Sequence, residues 1–404
     1  MKKVMIWGLG NYSDIVFESL DTDKCELAGA IDADEEKQKQ KWKNRYAVIS
    51  PDKIKTDNID YIIVTVLHSE SIERKIKEKG MESEKVIYFW RQDVSKFDFI
   101  NADKKKIFCL RRELEKYKNR AENAPYEFGE YRGPVIKSSI ELLERIKDTG
   151  ASLCRFGDGE FEIIFGNKRS WFQKTDDKLA ERLRDILNSE ESNIIIAIAD
   201  NYGNLEKYTD EAADSIRSYM KEEKRKQHME LLDSERVYYD AYVSRPYMIY
   251  RDKDNARRVF EMYARIFEGR NILIVEGRHT KSGYKNDLFI NAKSVSRILC
   301  PDRDAFLYYD HIYNSVIKYA DKETLIIISL GAAATVLAYD LAMQGYQAID
   351  FGQMDNEYEW YKRKSSKREV ITGKSVSEIW WYKYPENDGL DSEFRSQVIC
   401  EVGI

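Results

Sequence analysis

The chain alternates short apolar runs with longer amphipathic stretches, and this pattern predicts much of its architecture. Near the N-terminus, runs of strand length occupy residues 4–7, 26–31, 61–66 and 86–89. Helical patterns lie between them, at about residues 13–20 and at 69–79. Strands that alternate with helices are typical of parallel βαβ units. Residues 1–97 are therefore predicted to form a Rossmann-like domain.

The same alternation resumes after about residue 130. The candidate strands are residues 152–156, 194–199, 272–275, 325–329 and 348–351. The candidate helices are residues 179–187, 214–227, 255–267 and 333–343. Residues 130–404 are therefore predicted to form a second α/β domain. Its tail after about residue 385 is predicted to be irregular, with a turn at residues 385–389.

Residues 98–129 are predicted to form a basic linker helix between the two domains. Four apolar side chains recur at 3-4-3 spacing, which is a short heptad seam on one helix face: Ile107, Leu110, Leu114 and Tyr117. Eight basic residues surround them: Lys104, Lys105, Lys106, Arg111, Arg112, Lys116, Lys118 and Arg120. Three interpretations stay open: a linker packed on its own domain, a homodimer contact, or a peripheral contact with anionic lipid. Pro125 is expected to end the helix.

Composition narrows the function classes. The chain has 404 residues, of which 43% are hydrophobic and 34% are charged, as in an ordinary soluble protein of two or three domains. A net charge of −5 gives no argument for nucleic-acid binding. No apolar run approaches the roughly 20 residues of a membrane span. The five cysteines form no CxxC pair, so neither a zinc site nor a disulfide framework is indicated. A cytoplasmic location is expected, with or without association with the inner face of the membrane.

Residues 155–160 (RFGDGE) carry the most informative chemistry. They follow an apolar strand and precede a helical run. If the segment is extended, the carboxylates of Asp158 and Glu160 point the same way, and two such oxygen donors suit Mg²⁺ or Mn²⁺. The following helix N-terminus would favour a phosphate. The alternative is that Asp158 only caps the helix and Glu160 only complements its dipole.

Polar or small residues follow all five candidate strands of the second domain. Open α/β sheets bind ligands beyond the carboxyl ends of their strands. In chain order, these ends carry Asp158 with Glu160, Asp200 with Asn201, Glu276 with Arg278, Gly331 with Thr335, and Asp350 followed by Asp355 and Glu357. The sequence therefore predicts one site along this edge. Gly331 is a candidate phosphate or ribose contact, or else a tight turn required by packing.

The second domain resembles the GT-D type of glycosyltransferases over residues 134 to about 365. The matching stretches are residues 155–161, 244–246, 280–288, 297–301, 330–341 and 350–360. The resemblance implies an α/β glycosyltransferase domain with a Rossmann-like sheet. It also implies metal-dependent transfer of a hexose from a UDP-sugar, such as UDP-glucose, to a glycan or glycoprotein acceptor.

The resemblance also implies roles for individual residues. Asp158 and Glu160 would bind the metal, and the late acidic motif would supply the catalytic carboxylates Glu359, Glu357 and Asp355. Glu359 would deprotonate the acceptor hydroxyl, or the motif instead anchors a helix through its aromatic residues.

The implied donor contacts are Arg155, Gly157, Glu276, Arg245, Arg297, Asn286, Gly331 and Thr335. Arg245 and Arg297 are candidate diphosphate or acceptor contacts because guanidinium binds phosphate bidentately, and the alternative is that both form surface or interdomain ion pairs. One departure concerns the acceptor side, since a histidine expected after the last strand is Gln353 here.

The first domain carries an approximate dinucleotide fingerprint. Gly8, Gly10 and Ser13 follow the first strand, and Asp32 lies some twenty residues further on, but Ser13 replaces the third glycine. The domain loosely resembles nucleotide-sugar-binding modules of sialic-acid-type acetyltransferases. Nucleotide binding and a scaffold role both stay open. Two alternative functions follow: an NAD(P)-dependent oxidoreductase or epimerase, and a non-catalytic nucleotide-sugar-binding module.

Overall fold

The structure is a computed structural model of the 404-residue chain. It describes residues 1–10, 12–54, 58–66, 69–167, 173–174, 176–376 and 392–403, with the backbone alone for residues 70 and 71. The chain packs as two compact units, Met1–Lys118 and Asn119–Ile404. No helix in these described ranges combines the length and the hydropathy needed to cross a bilayer.

The first unit is built on a five-stranded sheet. Its strands are β1 (Lys2–Trp7), β2 (Cys25–Ile31), β3 (Val48–Ile49), β4 (Tyr61–Val64) and β5 (Val86–Tyr88). Its helices are α1 (Ser13–Glu18), α2 (Glu35–Gln38), α3 (Glu70–Glu78) and the start of α4 (Ala102–Phe128). The strand order is β3-β2-β1-β4-β5 with every pairing parallel, which is the order of the first five strands in a Rossmann sheet. The two-residue β3 is too short to leave a sequence pattern.

Helix α4 extends beyond the predicted end at Pro125 and finishes at Phe128. The prediction that proline ends the helix is therefore wrong. Tertiary contacts explain the difference, because Glu127 binds Arg217 through two hydrogen bonds of 2.7 and 2.8 Å. Asn123 likewise accepts a 2.7 Å hydrogen bond from Arg225. These contacts hold the last turns of α4 against the second unit's own residues.

The second unit is built on a nine-stranded sheet. Its strands are β6 (Val135–Lys137), β7 (Ser152–Phe156), β8 (Ile194–Ile198), β9 (Val237–Asp240), β10 (Asn271–Gly277), β11 (Ser294–Cys300), β12 (Leu325–Ser329), β13 (Gln347–Asp350) and β14 (Val398–Glu401). Its further helices are α5 (Ser139–Thr149), α6 (Asp158–Ile164), α7 (Asp177–Leu187), α8 (Asp210–Tyr219), α9 (Glu222–Leu231), α10 (Asp254–Phe267), α11 (Tyr309–Tyr319), α12 (Ala332–Met343), α13 (Met354–Lys362) and α14 (Ser392–Gln397).

The strand order of this sheet is β14-β11-β10-β12-β13-β7-β8-β9-β6, and every described pairing is parallel. Helices α7, α11 and α12 contribute to the apolar core on one face, and helices α5, α10 and α13 contribute to the core on the other. Strands covered on both faces read as continuous apolar runs, which is why β8 and β12 could be recognised from sequence. The predicted α/β class is confirmed.

Three expectations for this unit need correction. The single helix predicted at residues 214–227 is two helices, α8 and α9, because Met220 leaves the helical region at φ −84° and ψ 51°. Strands β6, β9, β11 and β14 were not predicted. The tail is not irregular throughout, since residues 392–401 form α14 and β14, and β14 pairs with β11. The turn predicted at residues 385–389 lies outside the described residues.

Candidate active site

The carboxyl ends of the parallel strands lie along one edge of the nine-stranded sheet, as the sequence predicted. Loops that follow β7, β8, β10, β12 and β13 all leave the sheet at this edge. The predicted site residues do not form one cluster there. Their hydrogen bonds and ion pairs gather them into several distinct groups, which differ in what they can bind.

Asp158 and Glu160 lie in the first turn of α6, not on an extended segment. Gly157 is the residue that precedes the helix, and its backbone N–H donates to Glu160 Oε2 at 2.8 Å. Asp158 is exposed, and its Oδ1 accepts from the Gly159 N–H at 3.0 Å. Residues two apart on a helix do not face each other, so the expected parallel orientation is wrong. Glu160 therefore caps its own helix with one carboxylate oxygen.

The electrostatic environment of Glu160 favours a nearby cation. Burial and the negative charge of Asp350 raise the pKa of Glu160, against the opposing effects of the Gly157 hydrogen bond and of Arg155. Asp158 adds a further negative charge two residues away. In the ranges that the structure describes, no group of three or more His, Cys, Asp or Glu side chains is placed to hold a metal. Two carboxylates still fit Mg²⁺, which usually binds one or two of them together with substrate phosphates and water.

A buried histidine that sequence reasoning missed supports α6 from below. The ring of His228 stacks on Phe161 of α6 with 4.0 Å between centroids. Its Nδ1 lies 2.7 Å from the Tyr202 hydroxyl and its Nε2 lies 3.1 Å from the Tyr219 hydroxyl. Burial, reinforced by the charges of Lys224 and Arg225, lowers the pKa of His228 to about 3. The imidazole is therefore neutral, and it fixes the helix that carries Asp158.

Arg155 joins two neighbouring strands at the centre of the edge. Its Nη2 lies 2.7 Å from Asp350 Oδ1, and its Nε donates to the Asp350 carbonyl at 2.9 Å. Its Nη1 donates to Ser244 Oγ at 2.7 Å. Thr335 Oγ1 donates to Asp350 Oδ2 or to the Arg155 carbonyl, at 3.2 and 2.9 Å. Arg155 and Thr335, both predicted donor contacts, are thus bound by protein groups, an arrangement that favours a structural role.

The charges of Arg245 and Asp158 both act on Tyr242, at another part of the edge. Burial raises the pKa of the Tyr242 hydroxyl, the positive charge of Arg245 opposes this rise, and the negative charge of Asp158 adds to it. Tyr242 donates to Asn201 Oδ1 at 2.8 Å. These four residues, which we call the donor corner, follow the adjacent strands β7, β8 and β9. The donor corner thus combines a carboxylate and a guanidinium, which are the residue types that bind a metal ion and a phosphate.

The acidic residues of α13 are buried and bound. Lys374, which is 2% exposed, lies 2.8 Å from Asp355 Oδ2 and 2.9 Å from Glu359 Oε1. Asn286 Nδ2 donates to both carboxylates at 2.8 Å. Burial opposes ionisation of Glu359, yet Lys374, Asn286 and Arg363 hold its pKa below the ordinary value. Sequence reasoning missed Lys374, since no local pattern links it to α13.

Glu357, the third acid of this helix, holds the chain segment that follows Arg245. Its Oε2 accepts hydrogen bonds of 2.8 Å from the backbone N–H groups of Tyr247 and Met248. Glu357 is fully buried. The carboxylate therefore orients backbone two residues beyond Arg245, at the margin of the donor corner.

Glu276 and Arg297 form a buried pair at the far side of the edge. Arg297 Nη1 is bonded to Glu276 Oε1, and its Nη2 and Nε donate to the Ser282 carbonyl and to Gln397 Oε1 at 2.7 and 2.8 Å. Burial raises the pKa of Glu276 and Arg297 opposes the rise. The Arg297 side chain is only 3% exposed. This burial and its three protein partners favour the ion-pair alternative over phosphate binding.

Gly331 precedes the buried helix α12 with φ 58° and ψ −144°, a backbone conformation that only glycine adopts readily. The tight-turn requirement is therefore real, and it leaves the predicted phosphate contact a prediction.

Gln353 precedes α13 and accepts a 2.9 Å hydrogen bond from Asn356. A different imidazole lies on this edge: His279 Nδ1 is 2.6 Å from Asp302 Oδ2. A histidine held by a carboxylate is a common arrangement for a general base.

The fingerprint region of the first unit is closed by its own side chains. Asp32 Oδ2 accepts from the Leu9 N–H at 2.7 Å and lies 3.2 Å from Lys37 Nζ. Gly8 has φ +101°, and a Cβ there would lie 2.7 Å from Val66 Cγ1. The acid expected to bind a ribose thus organises the loop instead, and nucleotide binding by this unit stays a prediction.

Comparison with known proteins identifies the second unit. A model of the GT-D glycosyltransferase fold matches residues 153–379, more than half of the chain. This chain belongs to the GT-D family. The match begins within β7 and includes Asp158, the donor corner and all of α13. The predicted family is confirmed. Residues 1–87 of this GT-D protein match a separate family described as C2185-like, N-terminal.

Relatives with names or solved structures agree with this assignment. Probable glycosyl transferase Gly of Streptococcus gordonii is 33% identical over 279 residues, and glycosyltransferase GlyD of Streptococcus pneumoniae serotype 4 is 33% identical over 273 residues. The matched regions cover 67% and 66% of this chain but only 40% and 32% of those relatives.

A solved domain of unknown function 1792, reported to have a distinct glycosyltransferase fold, is 31% identical with a TM-score of 0.63. The alignment covers 72% of this GT-D chain and all of that one. A glycosyltransferase from Streptococcus sanguinis with the same domain is 30% identical with a TM-score of 0.62, over 67% of this chain and 99% of that one.

Proposed function

We propose that this GT-D chain transfers a hexose from a UDP-sugar, UDP-glucose or a close analogue, to a hydroxyl group of a glycan or glycoprotein. The observation that carries the proposal is the donor corner, where the charges of Asp158 and Arg245 both act on the Tyr242 hydroxyl beyond the carboxyl ends of β7 and β9. A nucleoside diphosphate needs a metal and a cationic side chain within a few ångströms of each other. The corner supplies residues of both kinds.

In this proposal Asp158 and Glu160 hold Mg²⁺ or Mn²⁺. Asp158 is exposed. Glu160 uses Oε2 to accept the Gly157 N–H, and in this proposal its Oε1 is the metal ligand. When bound, the cation neutralises the negative charge that develops on the UDP leaving group. Burial and the negative charge of Asp350 raise the pKa of Glu160, and a bound cation would oppose both effects.

Arg245 is proposed to bind the diphosphate, and Glu357 is proposed to position it. Glu357 fixes the two backbone amides that follow Pro246, which limits where the Arg245 backbone can lie. The side of the donor site that faces the sheet would be formed by Arg155, Thr335 and Gly157. Direct donor contacts by Glu276, Arg297, Asn286 and Gly331 stay predictions.

The contacts of Glu359 do not favour it as the acceptor base. Glu359 was predicted for this role, and its carboxylate is bound by Lys374, Asn286 and Arg363. A base works best with a pKa near the working pH, whereas the pKa of Glu359 is lowered. We therefore give Asp355 and Glu359 a positioning role, in which they hold the loop around Asn286 against α13.

A metal-dependence assay tests the proposal. The full chain is incubated with a panel of UDP-sugars and Mn²⁺, with and without EDTA, and UDP release is measured. We expect release that EDTA abolishes and added Mn²⁺ restores. UDP release that EDTA does not reduce would contradict the proposal. So would the absence of UDP release with every donor and acceptor tried. The control variant is Asp177→Asn, which alters the corresponding first-turn acid of α7 outside the donor corner.

The same assay distinguishes the two alternative functions. A non-catalytic module would bind UDP-sugar in calorimetry without releasing UDP. An oxidoreductase or epimerase would bind NAD(H) through the first unit and need no metal. The closed arrangement of Asp32, Leu9 and Lys37 gives no specific support to the NAD(H) alternative. A cytoplasmic location remains part of the proposal.

A further inference from the structure

The outer face of α4 carries an apolar stripe that the first unit leaves exposed. Ile107, Leu110, Leu114 and Tyr117 are 49%, 61%, 55% and 62% exposed. They are neighbours on the helix surface because they are three and four residues apart. We call this set the α4 stripe. Contiguous exposed apolar residues of this kind mark interaction sites on soluble proteins.

The helix packs on its own unit through a different face. Phe108 makes an edge-on ring contact with Tyr12 and a tilted ring contact with Trp90, at 5.7 and 5.2 Å between centroids. Lys105 Nζ donates to the Gln92 carbonyl at 2.7 Å. At about 100° per residue, Phe108 and Lys105 lie roughly 140–160° from the centre of the stripe. The linker interpretation therefore accounts for one face of α4 and not for the stripe.

Basic residues border the stripe along one side. Lys104, Arg111 and Lys118 are seven residues apart, so they form a row parallel to the stripe. All three are exposed, and Lys104 is tethered to the Glu18 carbonyl. At about 100° per residue, Arg111 and Lys118 lie within roughly 40° of Ile107. An apolar strip with a cationic border is the pattern of helices that lie in a membrane interface.

Charge argues against a second copy as the occupant. In an antiparallel helix pair, Arg111 would face Arg111 of the other copy and Lys104 would face Lys118. In a parallel pair, Lys106 would face Arg111, although Glu113 would face Lys118. The seam is also only two heptads long, shorter than the three or four that sustain a coiled coil. Anionic headgroups, by contrast, complement every residue of the row.

We propose that the α4 stripe and its basic row dock the protein on an anionic lipid surface. The four apolar side chains enter the headgroup–acyl boundary, and Lys104, Arg111 and Lys118 contact the lipid phosphates and carboxylates. This contact would hold the acceptor-modifying unit near a membrane. It is independent of which reaction that unit performs, so its test does not use activity.

Vesicle flotation tests the proposal on the full chain. Vesicles of phosphatidylcholine alone are compared with vesicles that also contain phosphatidylserine, at low and at high salt. We expect flotation only with the anionic vesicles, and weaker flotation at high salt because the charges are screened. Protein that stays unbound with both vesicle types at low salt would overturn the proposal.

Two pairs of substitutions separate the apolar and the charged contributions. The double variant Leu110→Gln/Leu114→Gln should lower binding at least about tenfold, since two apolar side chains no longer enter the interface. Arg111→Gln/Lys118→Gln should lower it about fivefold per charge removed. The matched controls are Leu307→Gln, which is 64% exposed elsewhere, and Lys178→Gln, which is exposed on α7. Both controls should bind as the parent does.

Analytical ultracentrifugation decides between lipid and a second copy. We expect the parent and the Leu110→Gln/Leu114→Gln variant to have the same mass in solution. A parent dimer that this variant converts to a monomer would assign the stripe to a second copy and overturn the lipid proposal. Equal vesicle binding by the parent and by this variant would overturn it as well.

Discussion

Arg155 and Asp350 form an ion pair across the neighbouring strands β7 and β13, with 2.7 Å between Nη2 and Oδ1. Their side chains are 17% and 4% exposed. Removal of one partner from a buried pair leaves an uncompensated charge and usually costs about 3–5 kcal/mol. We expect Asp350→Asn to lower the free energy of unfolding, measured in urea, by about 3 kcal/mol. Glu261→Gln, in the exposed Arg257–Glu261 pair, should cause no measurable change. Equal effects of both substitutions would show that the pair is not a structural element.

The close approach of Gly352 to Arg155 allows a second stability test. Gly352 has φ +56°, and a Cβ there would lie 2.2 Å from Arg155 Nη2. Gly345 has φ +81° but nothing within 4 Å of an added Cβ. Gly345→Ala should therefore cost only the backbone strain, about 1–2 kcal/mol. Gly352→Ala should cost this amount plus about 3 kcal/mol, because Arg155 must leave Asp350. Thermal or urea unfolding measures both, and similar losses would contradict the inference.

The sequence predicts elements that depend on local pattern. Strands β7 and β12 begin and end at the predicted residues because both are short, mostly apolar runs, and a glycine, Gly157 or Gly331, follows each within two residues. It missed β9, whose four residues (VYYD) resemble neither a buried run nor an alternating strand. It also placed the first turn of α6 too late, since Gly157 and Gly159 suggested a loop. The Glu160–Gly157 hydrogen bond extends the helix back to Asp158.

Contacts between distant residues account for most of what the sequence could not predict at the candidate site. Lys374 lies 15 residues from Glu359 in the chain and bonds to it, and His228 lies 67 residues beyond Phe161 and stacks on it. Neither pair has a fixed spacing or a motif. From the sequence alone Glu359 is expected to be an exposed acid. In the structure buried Lys374 bonds to it and to Asp355.

Three substitutions separate metal binding from helix capping at α6. Asp158→Asn should lower kcat by about 100-fold or more without loss of stability, because Asp158 is exposed and its role is electrostatic. Glu160→Gln should lose activity but keep stability, since the amide oxygen can still accept from Gly157. Glu160→Ala should lose both, at a cost of about 1 kcal/mol for the missing cap. UDP release and thermal unfolding measure the two effects. Activity that falls only in proportion to stability would assign both residues to capping alone.

The lowered pKa of Glu359 makes the stability of the fold depend on pH. The pKa of Glu359 is lowered, so this carboxylate is ionised in the folded state across the neutral range. For an acid whose pKa is lowered on folding, the stabilisation is full above the unfolded pKa and is lost as pH falls through the folded value. We expect the parent to lose its stability advantage over Glu359→Gln below about pH 4.5, measured by urea unfolding at a series of pH values.

Activity should respond differently at the two candidate bases. If Glu359 only positions the loop at Asn286, Glu359→Gln lowers kcat/KM equally at every pH from about 5 to 8. If the imidazole that Asp302 holds is the base, His279→Gln should instead lower kcat by about 100-fold or more. The control is His311→Gln, on α11. A pH-dependent loss of kcat/KM in Glu359→Gln, with kcat little changed in His279→Gln, would restore the carboxylate as the base.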